Sequence, residues 1–312
     1  PAANYYSGFI AYGEGKYDEA LEDLKLAERS ESYGNIVPYL IANIYYRQSK
    51  FDELIAYGDQ AVKKSGVNNK EEISMLIADA YFFKKDYSKA KDAYQVFLDE
   101  NKDRADAALL YRAGYVHYEL GQNDKAIEYL SKSAATKDTV GYYASYYLGI
   151  LYLKKGDKPY ALNAFEYASK SPSDARLKEE SAFQFAKVAY DMGKPDLAIA
   201  AFEMYLKDYP NSQYQVQVKE LLAQAYINGN NYNKAIEYIE ALPSRNPTMN
   251  NAYQKATYLK GAEFFNKEEY ADAVEAFQKS LETPGDPKYA GLSNFWIGEA
   301  YSMGRKYSEA AS

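Results

Sequence analysis

The chain has 312 residues, 47% of them hydrophobic and 26% charged, with a net charge of -7, no cysteine and a single histidine. That composition excludes disulfides, thiol nucleophiles, Cys or His zinc clusters and histidine-based triads. An acidic chain without a basic run offers no electrostatic footprint for nucleic acid, and no stretch approaches the roughly 20 apolar residues that span a bilayer.

From the first residues onward one unit recurs. A small residue of a first helix stands at Gly8, Ala42, Ala78, Gly114, Gly149, Ala186, Ala223, Gly261 and Gly298, at spacings of 34 to 38 residues. Twelve residues after each comes a second-helix position, Ala20, Leu54, Ala90, Ala126, Ala161, Ala198, Ala235, Ala273 and Ala310. Four residues further on, the second helix carries a large residue, as at Leu24, Tyr94, Leu130, Phe165, Phe202, Ile239 and Phe277. Gly58 is the exception, and with Leu54 one turn before it the pair reads as volume exchanged between neighbouring positions.

The clearest copy runs from Phe183 to Ser212. Ala186 and Ala189 mark its first helix, Gly193 and Pro195 the break, and Ala198, Phe202 and Tyr205 form one stripe of a 3.6-residue period that Pro210 ends. By the same register Pro172, Pro210, Pro243, Pro247, Pro284 and Pro287 fall in connections, and Pro38, Pro159 and Pro195 at helix starts. Pro243 to Asn251 is the connection richest in turn residues and the expected hinge.

This order of small residue, turn, Ala-x3-Phe and proline resembles the tetratricopeptide repeat. The resemblance implies an all-α, right-handed superhelical solenoid of about nine hairpins, the last incomplete. It covers residues 1–312 as a single domain, with repeats starting near 1, 35, 71, 107, 142, 179, 216, 254 and 291. Because Ser312 follows Ala310 so closely, the chain reads as a fragment of a longer one, and any targeting segment falls outside it.

Catalysis finds no support. His117 occupies a repeat position that elsewhere holds Tyr, Phe or Ala, which points to a packed histidine. Glu71-Glu72 and Glu179-Glu180 read as helix-start acids, and Glu268-Glu269 as a turn. There is no phosphate-cradling glycine motif and no strand pattern to carry one, and no cofactor or metal is expected.

In the repeat family the first helix lines the concave side, and positions three before, one after and four after the small residue share a face. That face is aromatic. It is densest at Tyr111, Tyr115, Tyr118, Tyr143, Tyr146 and Ile150, and Phe183, Lys187 and Tyr190 continue it. These rings either pack hairpin against hairpin or form a groove that grips a peptide or protein segment. The reading adopted is a non-enzymatic protein-interaction scaffold. The alternatives are an accessory domain that positions an enzyme outside these residues, and a module that associates with itself. Nucleic acid and a direct membrane span are not expected.

A narrower resemblance rests on Asp208-Tyr209-Pro210-Asn211-Ser212 followed by Ala223, Ala225 and Tyr226. It is similar to the longer repeats of bacterial cell-envelope proteins, namely outer-membrane assembly lipoproteins and Tol-Pal coordinators. It implies a periplasmic or cell-envelope setting, with a cytoplasmic one as the alternative. The family's chaperone-binding class places Lys and Asn where this chain has Tyr5 and Phe9, so that class is disfavoured.

Overall fold

The structure, a computed structural model, describes residues 1–100, 105–283 and 285–304. Among these residues it is all helical, with seventeen helices running from α1 (Ala2–Gly13) and α2 (Tyr17–Ala27) to α16 (Tyr270–Glu282) and α17 (Pro287–Met303). Two compact units are formed, Pro1–Leu151 and Tyr152–Ser312. The Ala310 marker and Pro284 lie outside the described residues.

The first unit begins with α1 and α2 and continues through α3 (Val37–Arg47), α4 (Phe51–Lys63), α5 (Lys70–Phe83), α6 (Tyr87–Glu100), α7 (Ala107–Glu119) and α8 (Asn123–Ser133) into α9 (Thr139–Lys154). The second includes α10 (Lys158–Ala168), α11 (Ala175–Asp191), α12 (Pro195–Asp208), α13 (Gln215–Asn228), α14 (Tyr232–Glu240) and α15 (Pro247–Asn266), followed by α16 and α17.

One turn makes each hairpin. Seven residues after the small marker, a residue adopts a left-handed backbone at Gly15, Ser49, Lys85, Gly121, Gly156, Gly193, Asn230 and Glu268. Its N–H reaches back to a carbonyl three residues earlier and the next N–H to one five residues earlier, as in Gly121 to Tyr118 at 3.0 Å and Gln122 to His117 at 2.8 Å. This is the helix-ending geometry that glycine adopts at least cost. A three-residue connection of this kind reverses the chain and lays the second helix against the first.

The marker residues explain that closeness. A Cβ built on Gly8 would sit 2.8 Å from Leu24 Cγ, one on Gly114 2.7 Å from Leu130 Cγ, and one on Gly261 2.6 Å from Phe277 Cδ1. The small first-helix residue and the large second-helix residue therefore share one space, and neither can grow. Gly58 departs from the expected exchange with Leu54. A Cβ there would lie 2.8 Å from Ile77 Cδ1, so α5 of the following hairpin fills the gap.

Helix starts follow local capping chemistry. Asp106, Asp174 and Asn246 each accept from the backbone N–H three residues on, at 2.7, 2.8 and 2.9 Å. Pro247 and Pro287, expected in connections, instead open α15 and α17 behind the caps Asn246 and Asp286. Proline is favoured at that position because its missing N–H has no helical partner there. The stretch expected as a hinge is correspondingly shorter, since residues 247–251 already belong to α15.

Candidate protein-interaction site

In the first unit the first helices α3, α5, α7 and α9 place aromatic rings against one another. On α7, Tyr111, Tyr115 and Tyr118 stand at helical spacing, with successive ring centroids 6.1 and 6.0 Å apart. Tyr143 meets Tyr111 at 6.2 Å. Tyr146 meets Tyr147 edge to face at 5.4 Å, and Tyr147 in turn touches Tyr111, Tyr115 and Tyr118 at 6.3, 4.9 and 5.0 Å. Toward the N-terminus Tyr115 contacts Phe82 at 5.8 Å and Tyr87 at 6.0 Å. Phe82 meets Phe83, and Phe83 stacks on Phe51 at 5.4 Å and leans on Tyr46 at 6.2 Å. The rings thus form one connected network from Tyr46 to Tyr146.

These side chains are half-buried and Phe83 is 50% exposed, so the network is both packing and surface. Tyr111, Tyr115, Tyr118, Tyr143, Tyr146 and Ile150 all fall in this half-buried class. Burial pushes the hydroxyls of Tyr111, Tyr115, Tyr118 and Tyr147 above the ordinary phenol range, and at Tyr115 a hydrogen bond to Glu119 adds to the effect. The rings therefore remain neutral at any physiological pH.

Several charged side chains beside these rings have partners. Arg112 Nε lies 2.8 Å from Asp79 Oδ1, and the Tyr94 hydroxyl donates to the same oxygen at 2.6 Å. Asp79 is buried, and burial raises its pKa against the opposing pull of Arg112. Lys84 pairs with Asp52, and Arg47 Nε donates to the Tyr12 hydroxyl at 3.2 Å.

The second unit treats its expected site residues differently. Phe183 is 4% exposed and stacks on Tyr214 at 4.2 Å with the rings 4° from parallel, so it belongs to the core and not to a groove. Lys187 and Tyr190 are half-buried on α11, and Asn228 donates to the Tyr190 hydroxyl at 3.3 Å. Glu179 and Glu180, read as helix-start acids, lie beyond the first turn of α11 and accept from the hydroxyls of Tyr205 and Tyr214 at 3.1 and 2.7 Å.

His117 is packed. It stacks on Tyr129 at 5.5 Å, its Nδ1 lies 2.6 Å from Gln122 Oε1, and burial lowers its pKa. Among the described residues no group of three metal-ligating side chains could hold a metal ion, and no helix is long and apolar enough to cross a membrane.

Residues 75–139 and 111–175 match the tetratricopeptide repeat family. Residues 75–175 are thus tetratricopeptide repeats. Residues 175–293 match an outer membrane lipoprotein family, YfiO. No curated protein matches. Similar solved structures include the C-terminal part of a repeat protein of this kind from Cytophaga hutchinsonii, at 17% identity over 81% of this chain and 98% of that one, with a TM-score of 0.49. Another is a tetratricopeptide repeat protein from Parabacteroides merdae, at 14% identity over 87% and 99%, with a TM-score of 0.47. A third is the TPR2AB domain of yeast Sti1 in a complex with pHSP90, at 19% identity over 88% and 97%, with a TM-score of 0.39.

Within these repeats sequence reasoning missed Phe83 and, more tellingly, Tyr147. It stands two before the small marker Gly149, outside the three rows taken as one face, yet it is the ring on which α7 and α9 meet. Its signal was the run Tyr142-Tyr143 and Tyr146-Tyr147, two adjacent pairs where one helical face needs only one of each.

Proposed function

We propose that this tetratricopeptide-repeat protein is a non-enzymatic scaffold that binds a protein segment on the aromatic face of its first unit, at Tyr111, Tyr115, Tyr118, Tyr143, Tyr146 and Ile150. Protein interaction is the general business of this repeat family. The observation that carries the assignment to this face is the ring network from Tyr46 to Tyr146. Packing alone is already served by fully buried residues of the same helices such as Ala113 and Val116, so half-exposed rings in this number supply contact area to something else. Lys187 and Tyr190 on α11 form a separate patch of the same proposal. The match of residues 175–293 to an outer membrane lipoprotein family supports a bacterial cell-envelope setting.

Site-specific photocrosslinking tests this reading. A benzophenone side chain at Phe83, on the aromatic face, is expected to capture a discrete protein partner in cells. The same group at Leu26, exposed on second helix α2, is expected to capture none. Equal capture at both positions, or none at Phe83, would remove the assignment.

A further inference from the structure

Helix α1 exposes a face that the later first helices of its unit keep covered. Two residues after the small marker stand Ile44, Ala80, Val116 and Leu151, all 0 or 1% exposed, whereas Ile10 at the same place in α1 is 60% exposed. Two residues before the marker, α7 and α9 reach the hairpin ahead of them. There Arg112 holds Asp79 of α5, and Tyr147 meets the three rings of α7. The matching residue of α1 is Tyr6, 60% exposed, and Phe9 is 49% exposed. Tyr5 joins them into one apolar patch, its ring centroid 5.3 Å from that of Tyr6 and 6.2 Å from that of Phe9. A contiguous exposed apolar patch of this kind marks an association surface.

Charge and symmetry select the occupant. Helix α1 has no charged side chain along its length, and the first charges after it, Glu14 and Lys16, pair with each other at 2.8 Å. Two copies of a chain with a net charge of -7 repel each other over much of their surfaces, but two α1 helices meet without bringing like charges together. Ala3, Tyr6, Ile10 and Gly13 have the spacing of one helical face, and along it they read small, large, large, small in either direction. Turned about a two-fold axis, an antiparallel second α1 sets Tyr6 against Ile10 and Ala3 against Gly13. Each contact then occurs twice, as an isologous interface requires. The same arrangement places the positive end of each helix dipole beside the negative end of the other.

We propose that this face is a homodimer interface, in which α1 packs antiparallel on α1 of a second copy through Tyr6, Phe9 and Ile10. It uses none of the residues assigned to partner binding, so a dimer carries two copies of that aromatic face.

Light scattering of the full chain across a concentration series tests the proposal. The mass is expected to rise from monomer to dimer and stop there. Ile10→Asp should weaken association at least tenfold, with helix content by circular dichroism unchanged, and Leu26→Asp, on the exposed side of α2, should leave it intact. Because the chain has no cysteine, oxidation reads the geometry: Ala3→Cys mixed with Gly13→Cys should give the mixed disulfide in preference to either homodisulfide. A monomeric mass at every concentration, or association unaffected by Ile10→Asp, overturns the proposal. So does a mass that climbs past the dimer, as head-to-tail contacts give, or a mixed disulfide no more abundant than random pairing yields.

Discussion

The ring of Tyr147 on α9 meets that of Tyr115 on α7 edge to face, with centroids 4.9 Å apart and planes at 79°. Edge-to-face pairs contribute about 0.5 to 1.5 kcal/mol beyond the area they bury. Tyr115 also touches four further rings, so it cannot be a surface residue alone. Tyr115→Ala is therefore expected to lower the melting temperature as well as weaken any partner. A double-mutant cycle of Tyr115→Ala and Tyr147→Ala, read by urea denaturation, should give a coupling of about 1 kcal/mol. Additive effects within about 0.3 kcal/mol would mean that the two rings stabilise the unit independently.

The hairpin turn makes a second, purely conformational prediction. Gly121 has φ +71° and nothing within 4 Å of an added Cβ, so Gly121→Ala tests backbone strain without a clash. It should cost about 1 kcal/mol, the usual penalty of a left-handed non-glycine residue. Lys85 and Glu268 already occupy that conformation at φ 61° and 64°. Lys85→Gly and Glu268→Gly should accordingly raise the urea midpoint, and a fall in both would show that their side chains hold the turn by contacts that outweigh strain.

Much of this architecture is legible in the sequence, because a left-handed turn residue, a small first-helix residue and a large second-helix residue recur at fixed offsets. What is not legible depends on the neighbouring hairpin. Gly58 faces Ile77 of α5, and no inspection of its own repeat shows which element fills the gap. Pro247 reads as a connection until Asn246 is seen to cap α15. The tyrosines are the hardest case. In the first unit Tyr115 meets five other rings, whereas in the second Tyr214 and Tyr226 each meet one and donate to Glu180 and Glu203, and composition is the same for both outcomes.

Alkaline titration should separate folded from unfolded tyrosines. Burial, aided by the hydrogen bond to Glu240, pushes Tyr253 up to about 12, and burial alone pushes Tyr238 to about 12. These folded values lie above the unfolded phenol value near 10. The unfolded chain therefore releases protons first as pH rises, so stability present below pH 10 or so declines through the range up to about 12. Phenolate absorbance followed upward in pH should show a delayed fraction that appears together with loss of helix. A single unshifted transition with helix intact would contradict the burial of these hydroxyls.

The buried Asp79–Arg112 pair allows the sharpest separation of charge from packing. Its carboxylate also accepts from Tyr94, so removing Arg112 leaves a buried acid with one neutral donor. Breaking such a pair costs about 3 to 5 kcal/mol when fully buried, and because Arg112 retains 25% of its side-chain exposure, Arg112→Met should cost about 2 kcal/mol by the same reasoning. Replacing both partners with apolar residues of similar volume removes the stranded charge, so Arg112→Met with Asp79→Leu should recover most of that loss. The Tyr94 hydroxyl then loses its acceptor, which sets a residual cost of about 1 kcal/mol that Tyr94→Phe should in turn relieve. Urea midpoints of the single, double and triple variants decide it: steadily increasing loss along the series would show that the pair stabilises the unit through its charges, and recovery at the double variant would show that it fixes the arrangement of α5, α6 and α7 at no net gain in stability.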